Sequence, residues 1–305
     1  MNSRAEAPAV SIITALYNRL DLTRTFLDEL AQTLREIPYE VILVDDGSTD
    51  GTREFLRELD RPEVRVLLNE ENLGFAGSNN RGAAEAKAPI LAFLNNDLVL
   101  RPGWIEPMID CLDDRSGMVG NVQLNAHTGR IDHAGIVFAP WGIPEHWGQN
   151  YRSIPKTGMR SFRAVTAACC LIRKELFESM GGFDADYRNG FEDIDLCLRL
   201  DEAQHENRVA FGSRIGHWVS ASPGRKDRDD GNIRRFLARW GDQTEKWGLQ
   251  DWPKHYLKRH ETCPWKLNGR KTWDALTFLL RLRSKPSAWM RARADSLRKH
   301  GRPNG

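Results

Sequence analysis

Four apolar runs alternate with amphipathic segments over the first hundred residues. The runs at residues 9–16, 39–44 and 90–94 are rich in β-branched and aliphatic side chains, which is typical of buried strands. Residues 64–68 are predicted as a further strand. Between the first two runs, over residues 22–34, apolar residues recur at helical spacing. This alternation predicts an α/β fold in which helices cover both faces of a parallel sheet.

The alternation of strands and helices becomes less regular after residue 104. Short strands are predicted at 118–124, 136–138, 164–172 and 208–211, and helices at 174–180 and 192–200. Residues 141–157 are rich in Pro, Gly and aromatics without periodicity, which favours a functional loop. Beyond residue 222, amphipathic helices are predicted near 233–247, 273–283 and 288–299. We therefore expect one domain over residues 1–222 and a helical C-terminal extension over residues 223–305.

The net charge of +2 hides an asymmetry. Residues 253–305 contain 14 Lys and Arg against three acidic residues, so the remaining 252 residues carry 30 basic and 39 acidic side chains. The basic helices, which carry Trp273, Phe278, Trp289 and Leu297, suit peripheral contact with an anionic membrane surface. A solvated basic cap packed on the acidic body explains the same pattern. No nucleic-acid-binding module is recognised, so nucleic acid is not an expected partner.

Size and cysteine usage limit the class of protein. A chain of 305 residues with 40% hydrophobic and 28% charged residues can bury a full core as a soluble globular protein. There is no apolar run with the features of a secretory signal and none long enough to span a bilayer. The five cysteines include no CxxC spacing, which predicts reduced thiols in a cytoplasmic protein.

The strand at 90–94 ends on Asn95-Asn96-Asp97. An ionisable Asp97 at the end of a buried strand has to be solvated, paired or bound to a ligand. Ligands bind at the carboxyl ends of strands in open α/β sheets, so Asp97 is a candidate ligand of a divalent metal beneath a nucleoside diphosphate. An aspartate that merely opens a turn is the alternative. His217 follows a later strand and would complete an oxygen-plus-imidazole set that accepts Mn²⁺ or Mg²⁺, although a single histidine is more often structural.

Other strand ends carry polar clusters as well. Tyr17-Asn18-Arg19 follows the first strand, and the adjacent carboxylates Asp45 and Asp46 follow the second. Like charges so close require hydrogen-bond donors or a ligand. Glu192, Asp193 and Asp195 stand in the first turn of a predicted helix, where they either compensate the helix dipole or supply a general base. The Gly-rich loop at 74–82 permits close approach of a ligand to the backbone.

Taken in order, these segments resemble a known family. The matching pieces are VSIITALYNR at 10–19, VDDGSTDGT at 44–52, NLGFAGSNNRG at 72–82, LNNDLVLRPGW at 94–104, GGFD at 181–184 and FEDIDLCLR at 191–199. The set resembles the inverting glycosyltransferases of family 2, which have the GT-A nucleotide-diphosphosugar fold. The resemblance covers residues 9–222. IDHAGIVFAPWG at 131–142 is similar to a segment of the rhamnosyl-type enzymes that build bacterial surface polysaccharide.

The resemblance implies roles for individual residues. Asp193 matches the base that deprotonates the acceptor hydroxyl, with Glu192 as its neighbour. Asp97 matches the last Asp of the family's DxD metal motif, whose first carboxylate is replaced here by Asn95, and His217 matches a further metal ligand. The implied cofactor is Mn²⁺ or Mg²⁺. Contacts to the nucleotide sugar are implied for Thr14, Tyr17, Asn18, Arg19, Asp45, Asp46, Asn72, Gly74, Asn80, Asn95 and Asn96.

The expected activity is transfer of a sugar from a UDP- or dTDP-sugar to a hydroxyl of a glycan or polyprenyl-linked acceptor. A protein that binds nucleotide sugar or glycan without catalysis is the alternative, although retention of Asp193 beside Asp97 argues against it. A dinucleotide-dependent oxidoreductase is disfavoured because no glycine fingerprint follows the first strand.

Overall fold

The computed structural model describes residues 7–218 and 229–301, so the predicted domain boundary at residue 222 lies outside the described residues. Helices flank a ten-stranded sheet, and two further strands form a small second sheet. The strands are β1 Val10–Leu16, β2 Tyr39–Asp45, β3 Val64–Leu68, β4 Ile90–Leu94, β5 Leu98–Val99, β6 Ser116–Asn125, β7 Ile131–His133, β8 Ile136–Phe138, β9 Pro144–His146, β10 Met159–Phe162, β11 Cys169–Arg173 and β12 Glu206–His217. The helices are α1 Leu20–Thr33, α2 Thr52–Arg57, α3 Gly74–Glu85, α4 Glu106–Ile109, α5 Lys174–Ser179, α6 Glu192–Glu202, α7 Asp229–Arg259, α8 Gly269–Leu279 and α9 Ala288–His300.

The first four long strands form the parallel half of the sheet. β1 pairs in parallel with β2 and β4, and β2 pairs in parallel with β3. Neighbouring side chains of β1 enter different cores, because Ile12 packs on the face covered by α1 and Ile13 on the face covered by α3. Both residues are fully buried. Burial on both faces explains why β1, β2 and β4 lack polar alternation, whereas β3, at the edge of the sheet, is only partly buried. The predicted central sheet flanked by helices is confirmed.

The other half of the sheet is mixed. β11 runs antiparallel to β4 and β6, whereas β12 runs parallel to β6 and antiparallel to β10. The short strand predicted at 208–211 is part of the twelve-residue β12. Its pairing register shifts between Ala210 and Arg214, where Gly212 and Ser213 interrupt the apolar run. The shift hides the strand's full length from a search for periodicity.

The prediction of a Gly-rich loop at 74–82 is wrong, because these residues belong to α3. Gly74 begins the helix with a φ of +74°. A Cβ at Gly82 would lie 2.5 Å from Ile13 Cγ2, so glycine at this position lets α3 approach β1 closely. Gly82 therefore serves helix–sheet packing.

The C-terminal helices share the core of the sheet. α7 contacts α8, α9 and β8. Phe236, Trp240 and Trp252 on α7 are buried in the same hydrophobic cluster as Phe93 of β4. Among the four apolar residues predicted to face a membrane, Phe278, Trp289 and Leu297 belong to or pack against this core, whereas Trp273 is exposed.

Candidate active site

One edge of the sheet gathers the predicted polar clusters. The parallel strands β1, β2 and β4 all end there. β11 is antiparallel to β4 with Cys169 opposite Leu94, so the residues just before β11 also lie at this edge. β12 ends with His217 paired to Leu98 of β5. The topology therefore brings Asp97, His217 and the segment before β11 together.

Asp97 and His217 face one another. Asp97 Oδ1 lies 3.2 Å from His217 Nε2, and the two side chains are 14% and 13% exposed. Neither Asp97 Oδ1 nor His217 Nδ1 has a hydrogen-bond partner among the described residues. The backbone N–H of Trp218 donates to the Asp97 carbonyl at 2.9 Å, which fixes the two segments together. A carboxylate oxygen and an imidazole nitrogen at this separation can share one cation.

Asn95 and Asn96 hold the Asp97 segment in place. The Asn95 N–H donates to the carbonyl of Ala168 at 2.9 Å, just before β11. The Asn96 side-chain amide donates to Thr23 Oγ1 of α1 at 3.0 Å. The two asparagines therefore anchor the segment before Asp97 to the residues before β11 and to α1, and the carboxylate of Asp97 is left for a ligand.

The loop after β1 is a rigid turn next to Asp97. Asn18 and Arg19 both have positive φ, 58° and 62°, which non-glycine residues adopt at a cost. Ser48 Oγ accepts from the Asn18 N–H, and Asn18 Oδ1 accepts from the Thr49 N–H, both at 2.7 Å. The hydrogen bond to Asp21 raises the pKa of the Arg19 guanidinium, and the charge of Asp97 adds to that rise.

Asp45 and Asp46 are held inside the protein. The buried Asp45 pairs with Arg53 Nε at 2.7 Å. Asp46 accepts hydrogen bonds from the backbone N–H groups of Leu73 and Gly74 at 2.7 and 3.0 Å, and also from two side chains. The two carboxylates thus organise the loops around them, and Asp46 satisfies N–H groups at the beginning of α3.

The remaining predicted donor-site residues differ in whether their side-chain polar groups are already hydrogen-bonded within the protein. The Asn72 amide donates to the Asp46 carbonyl at 2.9 Å. Asn80 makes two hydrogen bonds to the backbone of Phe183, at 2.7 and 2.9 Å, so its amide links α3 to the turn after α5. Thr14 is fully buried near the end of β1, and its hydroxyl has no hydrogen-bond partner among the described residues. Tyr17 is exposed.

Asp193 is anchored at the same edge by backbone groups. Its Oδ2 accepts from the Ala167 N–H at 3.0 Å and its Oδ1 from the Ile194 N–H at 2.8 Å. The residue remains partly exposed. Glu192 is buried, and its Oε2 accepts from the Gly190 N–H at 2.6 Å. Two backbone donors fix the Asp193 carboxylate and leave its other lone pairs available.

The three residues before α6 form a strained segment. Asn189, Gly190 and Phe191 have φ values of 59°, 148° and 76°. Asn189 Oδ1 accepts from the Phe75 N–H of α3 at 3.0 Å, which ties this segment to the predicted donor loop. Strained backbone of this kind clusters at functional sites, where the surrounding structure over-determines it.

Sequence reasoning missed the contribution of α7 to this site. Asn232 Nδ2 donates to the carbonyls of Arg188 and Gly190 at 3.0 and 3.1 Å, which holds the strained segment. The fully buried Asp195 accepts from Trp240 Nε1 at 2.8 Å and also pairs with arginines of α6 and α7. Asp195 therefore joins α6 to α7. Only the amphipathic pattern of α7 was visible in the sequence, and it does not reveal the partner of the helix.

A second histidine that sequence reasoning left without a role, His133, lies close enough to His217 for their charges to interact. His133 is buried, and its Nε2 accepts from the Gly135 N–H at 3.2 Å. Burial lowers the pKa of His133 well below its usual range, and the charges of His146 and His217 lower it further. Because Nε2 accepts the hydrogen bond from the Gly135 N–H, a neutral His133 carries its proton on Nδ1. In the sequence, the only indication of this residue was its position in the segment 131–142, which resembles rhamnosyl-type enzymes.

The residues at the edge fit a divalent cation held partly by substrate. Within residues 7–218 and 229–301, no group of three His, Cys, Asp or Glu is arranged to bind a metal. Asp97 Oδ1 is nevertheless a buried acceptor without a hydrogen bond, beside an imidazole. Mg²⁺ and similar cations commonly bind through one or two protein groups plus substrate phosphates and water, and this pair suits that arrangement.

The family model for glycosyl transferase family 2 matches residues 11–181. The chain belongs to this family. The match includes β1 to β4 and the Asp97 segment. Among curated proteins, an uncharacterized protein y4gI of Sinorhizobium fredii is 31% identical over 257 residues, 80% of this chain and 28% of its own length. The O-antigen biosynthesis protein RfbC of Myxococcus xanthus is 33% identical over 225 residues, 70% of this chain and 18% of its own length. The chain thus spans less than a third of either relative.

Solved structures of glycosyltransferases share the fold. GalNAc-T7, solved with UDP, GalNAc and Mn²⁺, aligns over 97% of this chain and 58% of its own with a TM-score of 0.64 and 16% identity. Staphylococcus aureus TarS 1–349 in complex with UDP-GlcNAc aligns over 94% and 83%, with a TM-score of 0.57 and 16% identity. The GT-A fold expected for this chain is thus confirmed. No helix among the described residues is long and apolar enough to cross a membrane.

Proposed function

We propose that this chain transfers a sugar from a nucleoside-diphosphate donor to an acceptor hydroxyl, with inversion at the anomeric carbon. The observation that carries the proposal is the connection between Asp193 and the Asp97 segment. Ala167 donates its N–H to Asp193, and the next residue, Ala168, accepts the N–H of Asn95. A carboxylate suited to be a base and a carboxylate suited to hold a metal are therefore joined at one sheet edge.

Asp193 is the proposed general base. A sugar hydroxyl becomes a competent nucleophile when a carboxylate removes its proton as it attacks. The two backbone hydrogen bonds fix the Asp193 carboxylate and spare lone pairs for that hydroxyl. Glu192 acts as a positioning residue, because its carboxylate is bound to the Gly190 N–H inside the strained segment.

The donor side of the site is proposed to lie at Asp97 and His217. These two residues would hold Mn²⁺ or Mg²⁺, with the donor diphosphate supplying further oxygen ligands. A bound divalent cation offsets the negative charge that develops on the departing diphosphate. Arg19 lies close enough to Asp97 for their charges to interact, so its guanidinium adds positive charge on the same side.

The nucleotide is proposed to bind along the loops after β1 and β2. Thr14 offers a hydroxyl without a hydrogen-bond partner among the described residues, and the exposed Tyr17 offers an aromatic ring. The remaining proposed donor-site residues shape this pocket mainly by holding its loops. These are Asn18, Asp45, Asp46, Asn72, Gly74, Asn80, Asn95 and Asn96.

The small number of available carboxylates near Asp193 supports inversion. A retaining double displacement requires a second carboxylate as nucleophile, by analogy with retaining glycosidases. The two acidic neighbours of Asp193 are poorly suited to that role: Glu192 Oε2 is bound to the Gly190 N–H, and Asp195 is fully buried among donors. With Asp193 as the base, a single in-line displacement accounts for the site.

The proposed donor is a UDP- or dTDP-sugar, and the proposed acceptor is a glycan or polyprenyl-linked hydroxyl. The name of the Myxococcus xanthus relative, an O-antigen biosynthesis protein, supports a surface polysaccharide as the product. The structural neighbours solved with UDP and UDP-GlcNAc support a uridine nucleotide. All five cysteines are unpaired, which supports a reducing, cytoplasmic compartment.

Donor identity and stereochemistry test the proposal together. A thermal-shift screen of nucleotide sugars with Mn²⁺ should show stabilisation by one or a few donors, because a ligand that binds only the folded state stabilises it. The selected donor is then incubated with candidate acceptors, and the anomeric configuration of the product is read by proton NMR. We expect a product with the opposite configuration to the donor. Donor binding without transfer or hydrolysis would instead indicate a binding protein, and a retained configuration would exclude single displacement.

A further inference from the structure

Large apolar side chains are exposed together around α8. Eight large hydrophobic residues are exposed among the described residues, and five of them lie between positions 265 and 282. Trp265 is 77% exposed and Trp273 is 65% exposed. Monomeric soluble proteins rarely expose such groups contiguously, so a patch of this kind marks an interaction site. The α8 patch consists of Trp265, Trp273, Leu276, Leu280 and Leu282.

Three residues of the patch form a stripe along one side of α8. Trp273, Leu276 and Leu280 follow i, i+3, i+7 spacing, which places them on one helical face. On the other side of α8, Ala275 is buried in the main hydrophobic core and Phe278 packs against that core. The helix is therefore apolar on two sides, one packed on the protein and one directed outward.

The turn after α8 extends the patch in a defined geometry. Arg281 adopts a left-handed φ of 57°, and Leu282 donates its N–H to the carbonyl of Thr277 at 2.9 Å. This is the hydrogen bond of a Schellman turn, in which the residue at the Leu282 position often packs back on the helix. Leu282 is instead 74% exposed. Its exposure therefore occurs in an ordered turn with a satisfied backbone.

The surface around the patch is cationic. Residues 264–285 contain six Lys and Arg residues and a single carboxylate, Asp274. Asp274 is buried, and it binds Arg283, Ser287 and Trp289 within the protein. The outward-facing surface of this segment thus carries no negative charge. The exposed cations beside the patch are Lys266, Arg270, Arg281 and Lys285.

We propose that the α8 patch docks on an anionic phospholipid bilayer. Tryptophan and leucine side chains insert at the interface while neighbouring Lys and Arg meet anionic headgroups, and both groups are present on this helix. A second copy of the chain is a poorer occupant, because a twofold interface would place two cationic patches against each other. The proposal goes beyond glycosyl transfer and stands on the surface of α8 alone.

Vesicle binding of the full chain tests the proposal without turnover, so its outcome does not depend on the proposed activity. Sedimentation is measured with vesicles of phosphatidylcholine mixed with phosphatidylglycerol and with vesicles of phosphatidylcholine alone. We expect binding to the mixed vesicles and at least about tenfold weaker binding of the Trp273→Glu/Leu280→Glu variant. Met159→Glu, at an exposed apolar position on β10, is the matched control and should bind like wild type.

The exposed positions of Trp273 and Leu280 predict that the double variant folds, which its circular dichroism and melting temperature will check. The proposal is overturned if wild type ignores the mixed vesicles or binds both kinds equally. It is also overturned if light scattering shows a wild-type dimer that the double variant dissociates, because the patch would then belong to a contact between two copies.

Discussion

Single residues at the sheet edge fall into two groups, those whose hydrogen bonds hold the protein together and those that keep an unused polar atom. Asp46 and Asn80 belong to the first group, because they form hydrogen bonds with residues 28 and 103 positions away in the sequence. Thr14, Asp97 and His217 each retain a buried polar atom without a hydrogen-bond partner among the described residues. The sequence predicted that polar residues would gather at strand ends, but it could not separate the two groups because the deciding partners are distant in the chain.

The proposed metal site at Asp97 and His217 can be tested by a single substitution. Asp97→Asn removes the charged oxygen that faces His217, so the Mn²⁺ concentration needed for half-maximal transfer should rise about tenfold or more. Activity in EDTA should disappear and return when Mn²⁺ is added. Mn²⁺ titration of transfer rates measures both effects. Asp60→Asn, an exposed carboxylate between α2 and β3, is the control and should leave the titration unchanged. Full activity after complete chelation would remove Asp97 and His217 from this role.

At the scale of elements, the beginning of α6 depends on α7. The strained residues 189–191 present Asp193, and Asn232 of α7 binds the carbonyls of Arg188 and Gly190 from behind. Trp240 of α7 binds Asp195 in the first turn of α6. The position of the proposed base is therefore set by a helix outside the part of the chain that resembles the family.

Asn232→Ala tests this support. The substitution removes the three part-buried hydrogen bonds between Asn232 and residues 188–190, which should cost about 1–3 kcal/mol of the free energy of unfolding. A displaced Asp193 should lower kcat about 10–100-fold while the KM for the donor changes little. Steady-state kinetics and denaturant unfolding measure the two effects. Gln250→Ala, on an exposed position of the same helix, should change neither. A normal kcat in Asn232→Ala would show that α7 does not position the base.

The elements also show where sequence patterns carry information. β1, β2 and β4 were predictable because burial on both faces selects β-branched and aliphatic residues. α3 was not, because its glycines and asparagines are poor helix formers and its position is set by packing, as Gly82 against Ile13 shows. The full length of β12 was not predictable either, because the pairing register shifts between Ala210 and Arg214 and interrupts the apolar pattern.

At the scale of the whole molecule, the charge asymmetry has two structural outcomes. Part of the basic extension packs on the rest of the protein. Arg298 of α9 pairs with Asp242 and Glu245 of α7, and the apolar residues of α7 enter the main core. Another part, around α8, remains an exposed cationic and apolar surface. The sequence suggested a packed cap and a membrane-binding surface as alternatives. In the structure α9 suits the packed cap, and the surface around α8 suits membrane binding.

The shared core makes a prediction about the proposed domains 1–222 and 223–305. A chain that ends after residue 218 would expose the side of the core that α7 covers, including residues that contact Phe236 and Trp240. We expect this truncated chain to lose cooperative unfolding, because a large apolar surface is returned to water. A chain that ends after residue 301 is the control and should unfold like the full chain. Thermal melts followed by circular dichroism measure the difference, and a cooperative melt of the shorter chain at the full-length temperature would show that residues 1–218 fold independently.

The central claim is that Asp193 removes the acceptor proton during sugar transfer. Asp193→Asn keeps the size of the side chain and one hydrogen-bond acceptor but removes the basic carboxylate. With donor binding checked by thermal shift, kcat for transfer should fall about 10²–10⁴-fold, whereas Asp60→Asn should match wild type. Transfer by Asp193→Asn at the wild-type rate, with donor binding intact, would contradict the account.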